Sequence, residues 1–169
     1  VSLGQIITPV EKDEIEKKYS QVAQDIKRAI LKYLYDPDEK IFYKLIDNTE
    51  KQTRIDRTID MSSIYSIYKF EVLSVDDEIV KKAMEKTVER LEVKTEVGGI
   101  ARFEGDSYHH KGGNYPGNPW VITSMWIAQY YIGVAKTESD LEPVRRWISW
   151  VVKNASSSKT LPEQFDPYS

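Results

Sequence analysis

The side chains able to do chemistry fall in two stretches of the sequence. The first, residues 98–120, reads GGIARFEGDSYHHKGGNYPGNPW and places Arg102, Glu104 and Asp106 at alternate positions. An arginine presents a rigid fork of N–H donors that suits hydroxyls or a carboxylate. With acids so close, the fork either serves a polar ligand or forms an ion pair that pins the loop. Trp120, which ends the stretch, has helical spacing onto Ser124 and Ile127, so it either walls a ligand site or belongs to the core. The second stretch, 160–165, reads TLPEQF. Glu163 follows Pro162 there, after the serines 156–158, where no structural demand asks for an acid. Hydrolysis of a glycosidic bond uses two carboxyl groups, one protonating the leaving oxygen and one activating water or attacking carbon. Glu163 fits one of those roles; a solvated loop glutamate is the alternative.

Other chemistries find little support. The adjacent His109 and His110 point apart, and with Asp106 they form no recognised ligand spacing, so neither a metal site nor a cofactor is expected. The chain has no cysteine, which removes disulfides and thiolate nucleophiles. No glycine-rich phosphate loop follows a strand, and no Gly-x-Ser-x-Gly is present. A net charge of −3 argues against nucleic acid as a partner. No apolar run reaches membrane-spanning length, and VSLGQIITPV lacks the order of a signal peptide, so a cytoplasmic location is the expectation.

The elements that must position these residues read as helices. The 169 residues suit one domain over 1–169 with a real core. From about Glu11 to Tyr35, Ile15, Tyr19, Val22, Ala23, Ile26, Ala29, Ile30, Tyr33 and Leu34 make one apolar stripe opposite a lysine-rich face. Asp36-Pro37-Asp38 stops it. Ile41 to Tyr43 is either a brief strand or an extended loop. From about Asp60 to Val72 the pattern is apolar on most faces, that of a buried helix. Ser74 to Asp77 caps a one-sided helix with Ile79, Val80, Ala83, Met84, Val88 and Leu91 inward. The glycines and prolines of 98–120 require a long loop, and its aromatics argue for an ordered one. Asn118-Pro119 reads as the cap and first turn of a nearly all-apolar helix from Trp120 to Ala135. Ser139 reads as the cap of a last one-sided helix with Leu141, Val144, Trp147, Ile148, Val151 and Val152 inward. One-sided and all-apolar helices thus alternate, the order that two concentric layers produce. The expected class is all-α.

At these same residues the sequence resembles the glucoamylase and glucodextranase family of inverting glycoside hydrolases, which includes some trehalases. The resemblance is carried by Gly98-Gly99-Ile-Ala-Arg102-Phe103, Asp106-Ser-Tyr108, Gly117-Asn118-Pro119-Trp120, and Leu161-Pro162-Glu163-Gln164-Phe165, with Asp60-Met-Ser-Ser at the start of an earlier inner helix. It implies an all-α fold that is an incomplete portion of an (α/α)6 barrel, and a substrate such as an α-glucoside oligosaccharide or trehalose. It implies Glu163 as general base, and Arg102, Asp106, Tyr108, Trp120 and Gln164 as substrate-binding residues. The link His109 to Pro116 is longer than usual in the family, which reshapes the rim. The family's general acid sits in a Trp-Glu-type motif upstream, and no tryptophan precedes Trp120. The chain therefore resembles a C-terminal portion of a catalytic domain whose acid is supplied from elsewhere. Apolar faces of an open ring would favour self-association or association with the missing half. The alternative function is a non-catalytic saccharide-binding or assembly protein derived from that fold.

Overall fold

A computed structural model describes residues 9–49 and 52–168. The segment 1–8, on which most of the leader argument rests, lies outside the described residues. Contacts divide the chain into two compact units, Val1–Tyr35 and Asp36–Ser169, and each is described by itself. One domain over 1–169 stays an expectation.

The first unit is helix α1 (Pro9–Ala29), which continues into a single wider turn at Ile30–Leu34. The polar side of α1 is stitched by neighbours one turn apart: Lys12 with Glu16 at 3.5 Å, Gln21 Nε2 donating to Asp25 at 3.1 Å, and Arg28 on the same Asp25. Such pairs each add a few tenths of a kcal/mol, about 0.2–0.5.

The second unit opens with the turn chemistry legible in the sequence. Asp36 accepts from the N–H groups of Asp38 and Glu39, both at 3.0 Å, and from the Tyr43 hydroxyl at 2.6 Å. The ambiguous Ile41 to Tyr43 resolves as a short strand, β1 (Ile41–Phe42), with both side chains buried. Strands β2 (Leu45–Asn48) and β3 (Thr53–Asp56) then form an antiparallel hairpin, in register Leu45 to Asp56 and Asn48 to Thr53. This hairpin was not expected from the sequence. Its burial pattern is mostly exposed, so it lacks the apolar alternation that would have announced it.

Four helices follow: α2 (Met61–Lys69), α3 (Glu78–Leu91), α4 (Val121–Val134) and α5 (Glu142–Lys153). The alternation holds. On α3, Val80, Ala83, Met84 and Leu91 are buried beneath a wet face, and on α5 Val144, Trp147 and Val151 are. Between α2 and α4 the contact is aromatic: Tyr65 stacks on Trp126 with centroids 4.2 Å apart, and the Tyr68 hydroxyl donates to the Trp126 carbonyl at 2.8 Å. Burial pushes the Tyr68 phenol well above its ordinary range, so it stays a donor. The apolar girth of α4 is only half used. Ile127 and Ala128 are buried, whereas Ile122 and Ile132 are 51% and 55% exposed.

Three local expectations are corrected. Asn118 and Pro119 do not cap α4, because they lie in extended chain; Asn118 is buried and donates Nδ2 to the His109 carbonyl at 3.2 Å, and Trp120 precedes the first helical residue. Ser139 sits inside a short 3₁₀ turn, Glu138–Leu141, whose cap is Thr137 in a reciprocal box with Asp140. Ile148 and Val152 of α5 are 46% and 69% exposed, facing away from the core they were expected to join.

Candidate functional site

The long loop is held as an extended filament between three helices, so its backbone polar groups find partners. Beyond the end of α3 it pairs through Val93 N to Gly99 O (2.9 Å) and Ala101 N to Leu91 O (3.0 Å). At the start of α2, Met61 N donates to Arg102 O (2.9 Å) and Glu104 N to Ile59 O (3.0 Å). At the start of α4, Ile100 O accepts from Trp120 N (2.9 Å) and from the Thr123 hydroxyl (2.7 Å). Gly99 allows this lacing: it is left-handed at φ 93°, and a Cβ there would run into Trp150 and Pro119. The site is therefore built where the N-terminal ends of α2 and α4 meet one loop.

The tail reaches the same place. Ser156 to Thr160 closes a tight turn after α5, and the returning chain pairs antiparallel with the entry to α4, Trp120 opposite Gln164. Val121 N donates to Glu163 O (3.3 Å) and Phe165 N to Pro119 O (2.9 Å), while the Phe165 ring packs edge-on against Trp150. Thus Glu163 is carried to the start of α4 by backbone bonds at its own carbonyl and at the N–H of Phe165.

Arg102 and Asp106 form a two-pronged pair, Nε to Oδ2 at 2.8 Å and Nη2 to Oδ1 at 2.9 Å. The backbone N–H of Tyr108 adds a third hydrogen bond to Asp106 Oδ1 at 3.1 Å. The guanidinium lies over aromatic rings, 3.9 Å from the Trp120 ring centroid and 5.5 Å from that of Tyr108. Burial of Asp106 (1% exposed) opposes its ionisation, but the hydrogen bonds from Arg102 and Tyr108, with the fields of Arg102 and Lys44, outweigh it and hold the carboxyl below its ordinary range. Arg102 is raised in turn by its bonds to Asp106, against some burial, with the fields of Asp106, Glu163 and Asp60 adding to the effect. Glu163 is exposed and Tyr108 is 48% exposed, so this cluster opens to solvent.

The expected residues are thus gathered unevenly. Asp106, Tyr108 and Trp120 gather around Arg102, and the tail pairs Gln164 with Trp120 and brings Glu163 alongside. Glu104 parts from the group: its carboxylate pairs with Arg90 and caps the Ile59 N–H at 3.0 Å. Trp120 is 4% exposed, buried beneath the arginine it supports. Two buried polar atoms in this corner have no protein partner, Trp120 Nε1 and Gln164 Oε1. Leaving such groups unpaired costs roughly 1–3 kcal/mol each. The histidines serve the loop instead: the His110 ring stacks on Tyr115 at 4.0 Å, and its Nδ1 accepts from Gly112 N at 3.0 Å. No group of three or more metal-binding side chains lies together among the described residues.

The sequence motifs missed one charged neighbour. Lys44, at the foot of the hairpin, lies 3.1 Å from Asp60 Oδ2, and its Nζ sits 3.5 Å from the Phe103 ring centroid. Asp60 also caps α2 through Ser62 N at 2.9 Å. The N-cap was readable as a signal; the lysine was not, because the hairpin it leads into was not.

Comparison with known proteins places this geometry. No protein-family model matches the chain. The chain is 33% identical over 166 residues to an uncharacterized glycosyl hydrolase of Methanocaldococcus jannaschii, an alignment covering 92% of this chain and 24% of the relative. The chain therefore spans about a quarter of the length of the curated relative it matches. Among solved structures it is similar to a bacterial glucoamylase complexed with acarbose, with a TM-score of 0.68, 16% identity, and coverage of 90% of this chain and 25% of that one. It is also similar to an inactive variant of an α-1,6-mannanase of Salegentibacter sp. HEL1_6 in complex with α-1,6-mannotriose, at a TM-score of 0.53 and 10% identity, over 95% of this chain and 48% of that one. The chain has the all-α fold of part of an (α/α)6-barrel glycosidase and is similar in sequence to a stretch of a glycosyl hydrolase.

Proposed function

We propose that this chain forms the general-base side of an inverting glycoside hydrolase site for α-linked glucose saccharides, with the general acid supplied from outside these residues. The observation that carries the reading is the Trp120 to Gln164 pairing, which brings Glu163 to the two-pronged Arg102–Asp106 pair. In this reading the Glu163 carboxylate takes a proton from water as the water oxygen bonds to the anomeric carbon. The glycosidic oxygen leaves with a proton from an acid on the other side of the ring, some 6.5–9.5 Å away. Donors of Arg102 not used by Asp106 hold hydroxyls of the terminal ring, as does Gln164, and Tyr108 forms the wall, while the buried Asp106 and Trp120 act through the arginine they hold.

The test has two parts. Calorimetric titration of the purified chain with maltotriose, trehalose and α-1,6-mannotriose is expected to show binding of a glucoside, retained in Glu163→Gln and weakened at least tenfold in Arg102→Met, the loss of a charged donor. Glucose release from maltooligosaccharides or trehalose by the chain alone is expected to be nil. Release that depends on Glu163 would overturn the placement of the acid, and release indifferent to Glu163→Gln would overturn the base. Failure to bind any of the three sugars would overturn the site.

A further inference from the structure

Lys44 stands outside every motif that points to the site, yet its side chain ends within it. The hairpin fixes its backbone, since Lys44 N donates to Asp56 O at 3.1 Å. Its ammonium is tied at 3.1 Å to Asp60 Oδ2, while Asp60 Oδ1 accepts from Ser62 N (2.9 Å) and the Ser62 hydroxyl (2.6 Å). Asp60 is thereby held rigidly at the start of α2. The Phe103 ring lies beneath Lys44 Nζ at 3.5 Å, and the Arg102 guanidinium lies 5.4 Å from the same ring centroid. Two ion pairs from different elements, Lys44–Asp60 and Arg102–Asp106, therefore share one phenyl ring. They also act on each other electrostatically: the field of Lys44 reaches Asp106, and that of Asp60 reaches Arg102.

An ammonium has three donors, and Asp60 takes one. The Phe103 ring covers one side of the ammonium, and the Lys44 side chain is 32% exposed, so solvent reaches it and a donor is left for a ligand. The charges sum informatively as well. Lys44 and Arg102 are matched by Asp60 and Asp106, which leaves the charge of Glu163 uncompensated. A second anion brought into this cluster would meet net repulsion, whereas a neutral polyhydroxyl would meet spare donors.

Resting on the reading of this face as a saccharide site, we propose that Lys44 is a specificity-determining residue whose ammonium donates to a hydroxyl of an uncharged sugar, with Asp60 as its positioning residue. The hairpin is then part of the binding face, and its departure from the all-helical pattern has a use. Asp60 acts only through Lys44 and does not touch the sugar.

Calorimetry with maltotriose and with a tri-uronate of matched length tests this, beside thermal melting of every variant. The parent is expected to prefer maltotriose. Lys44→Met is expected to bind it about tenfold more weakly, the effect of losing one charged donor to a neutral acceptor. Lys44→Arg is expected to recover most of that loss, and Lys44→Gln, which keeps a neutral donor on a side chain one bond shorter, part of it. A lysine that merely pinned the hairpin would lower the melting temperature and leave the affinity of the folded protein untouched. Equal affinities of the parent and Lys44→Met, with Arg102→Met still weakened, would overturn the role of Lys44 while leaving the saccharide site standing. A parent that prefers the uronate would overturn the uncharged-sugar assignment. Binding of neither sugar removes the saccharide site, and this proposal with it.

Discussion

Asp106→Ala perturbs the site at its most buried charge. The carboxylate is 1% exposed and takes three hydrogen bonds, two from Arg102 at 2.8 and 2.9 Å and one from Tyr108 N at 3.1 Å. Removing one partner of a fully buried pair costs about 3–5 kcal/mol, chiefly because the other charge is left without compensation. Arg102 is 34% exposed in its side chain, so water recovers part of that penalty and the expected loss falls to about 2–3 kcal/mol. The assay is urea unfolding followed by tryptophan fluorescence, which reports on this unit because Trp120, Trp126, Trp147 and Trp150 all lie in it. Adding Arg102→Met to Asp106→Ala should restore part of the stability, with a coupling of about 1–3 kcal/mol for two groups in direct contact. The effect also carries a pH signature. A carboxyl whose folded pKa lies below its unfolded value contributes stability that is fully present above about pH 4, the unfolded value, and is lost as the pH falls through the folded value. The gap between parent and Asp106→Asn should therefore hold from pH 7 to about 4.5 and close on further acidification. A loss below about 0.5 kcal/mol at pH 7, the size of an ordinary surface change, would refute the reasoning, as would a coupling near zero.

Two further predictions concern how the site is backed and how α4 is used. Gly117→Ala would place a Cβ 2.7 Å from that of Asp106, so it should destabilise by about 1–3 kcal/mol and weaken saccharide binding, both read on the same purified variant. Gly105→Ala, with open space but a left-handed backbone at φ 74°, should cost about 1 kcal/mol and leave binding alone. On α4, Ile127→Ala at a fully buried position should cost about 2–5 kcal/mol. Ile132→Glu, 55% exposed, should stay within about 0.5 kcal/mol of the parent. Equal effects of these two, measured by urea denaturation, would mean that the exposed face of α4 is covered in solution.

The helices were legible in the sequence because each rests on local periodicity and local caps. The Asp60 and Asp77 side chains accept from the N–H groups that their position ahead of an apolar run requires. Alternation of α2 and α4 with α3 and α5 was legible too, since apolar residues on most faces set the first pair apart from the one-sided second pair. The candidate site was legible as residue types in two stretches, Arg102 to Trp120 and Glu163 to Phe165. Only the tertiary structure decided which of them meet. Arg102 chose Asp106 over the nearer Glu104 because the chain between Phe103 and Pro116 folds back, Asp106 N bonding Pro116 O at 3.1 Å, while Glu104 turns to Arg90 and Ile59. The cap at Asn118-Pro119 failed for the same kind of reason: its backbone was claimed by the long-range pairing of Trp120 with Ile100 and Gln164. Lys44 shows the limit most plainly. The strand it precedes carries no alternating pattern, and its partners Asp60 and Phe103 are remote in sequence, so nothing local records the contact. Periodicity and capping act over a few residues and can be read from the chain, whereas ion pairs and backbone ladders across tens of residues exist only once the helices have brought their ends together.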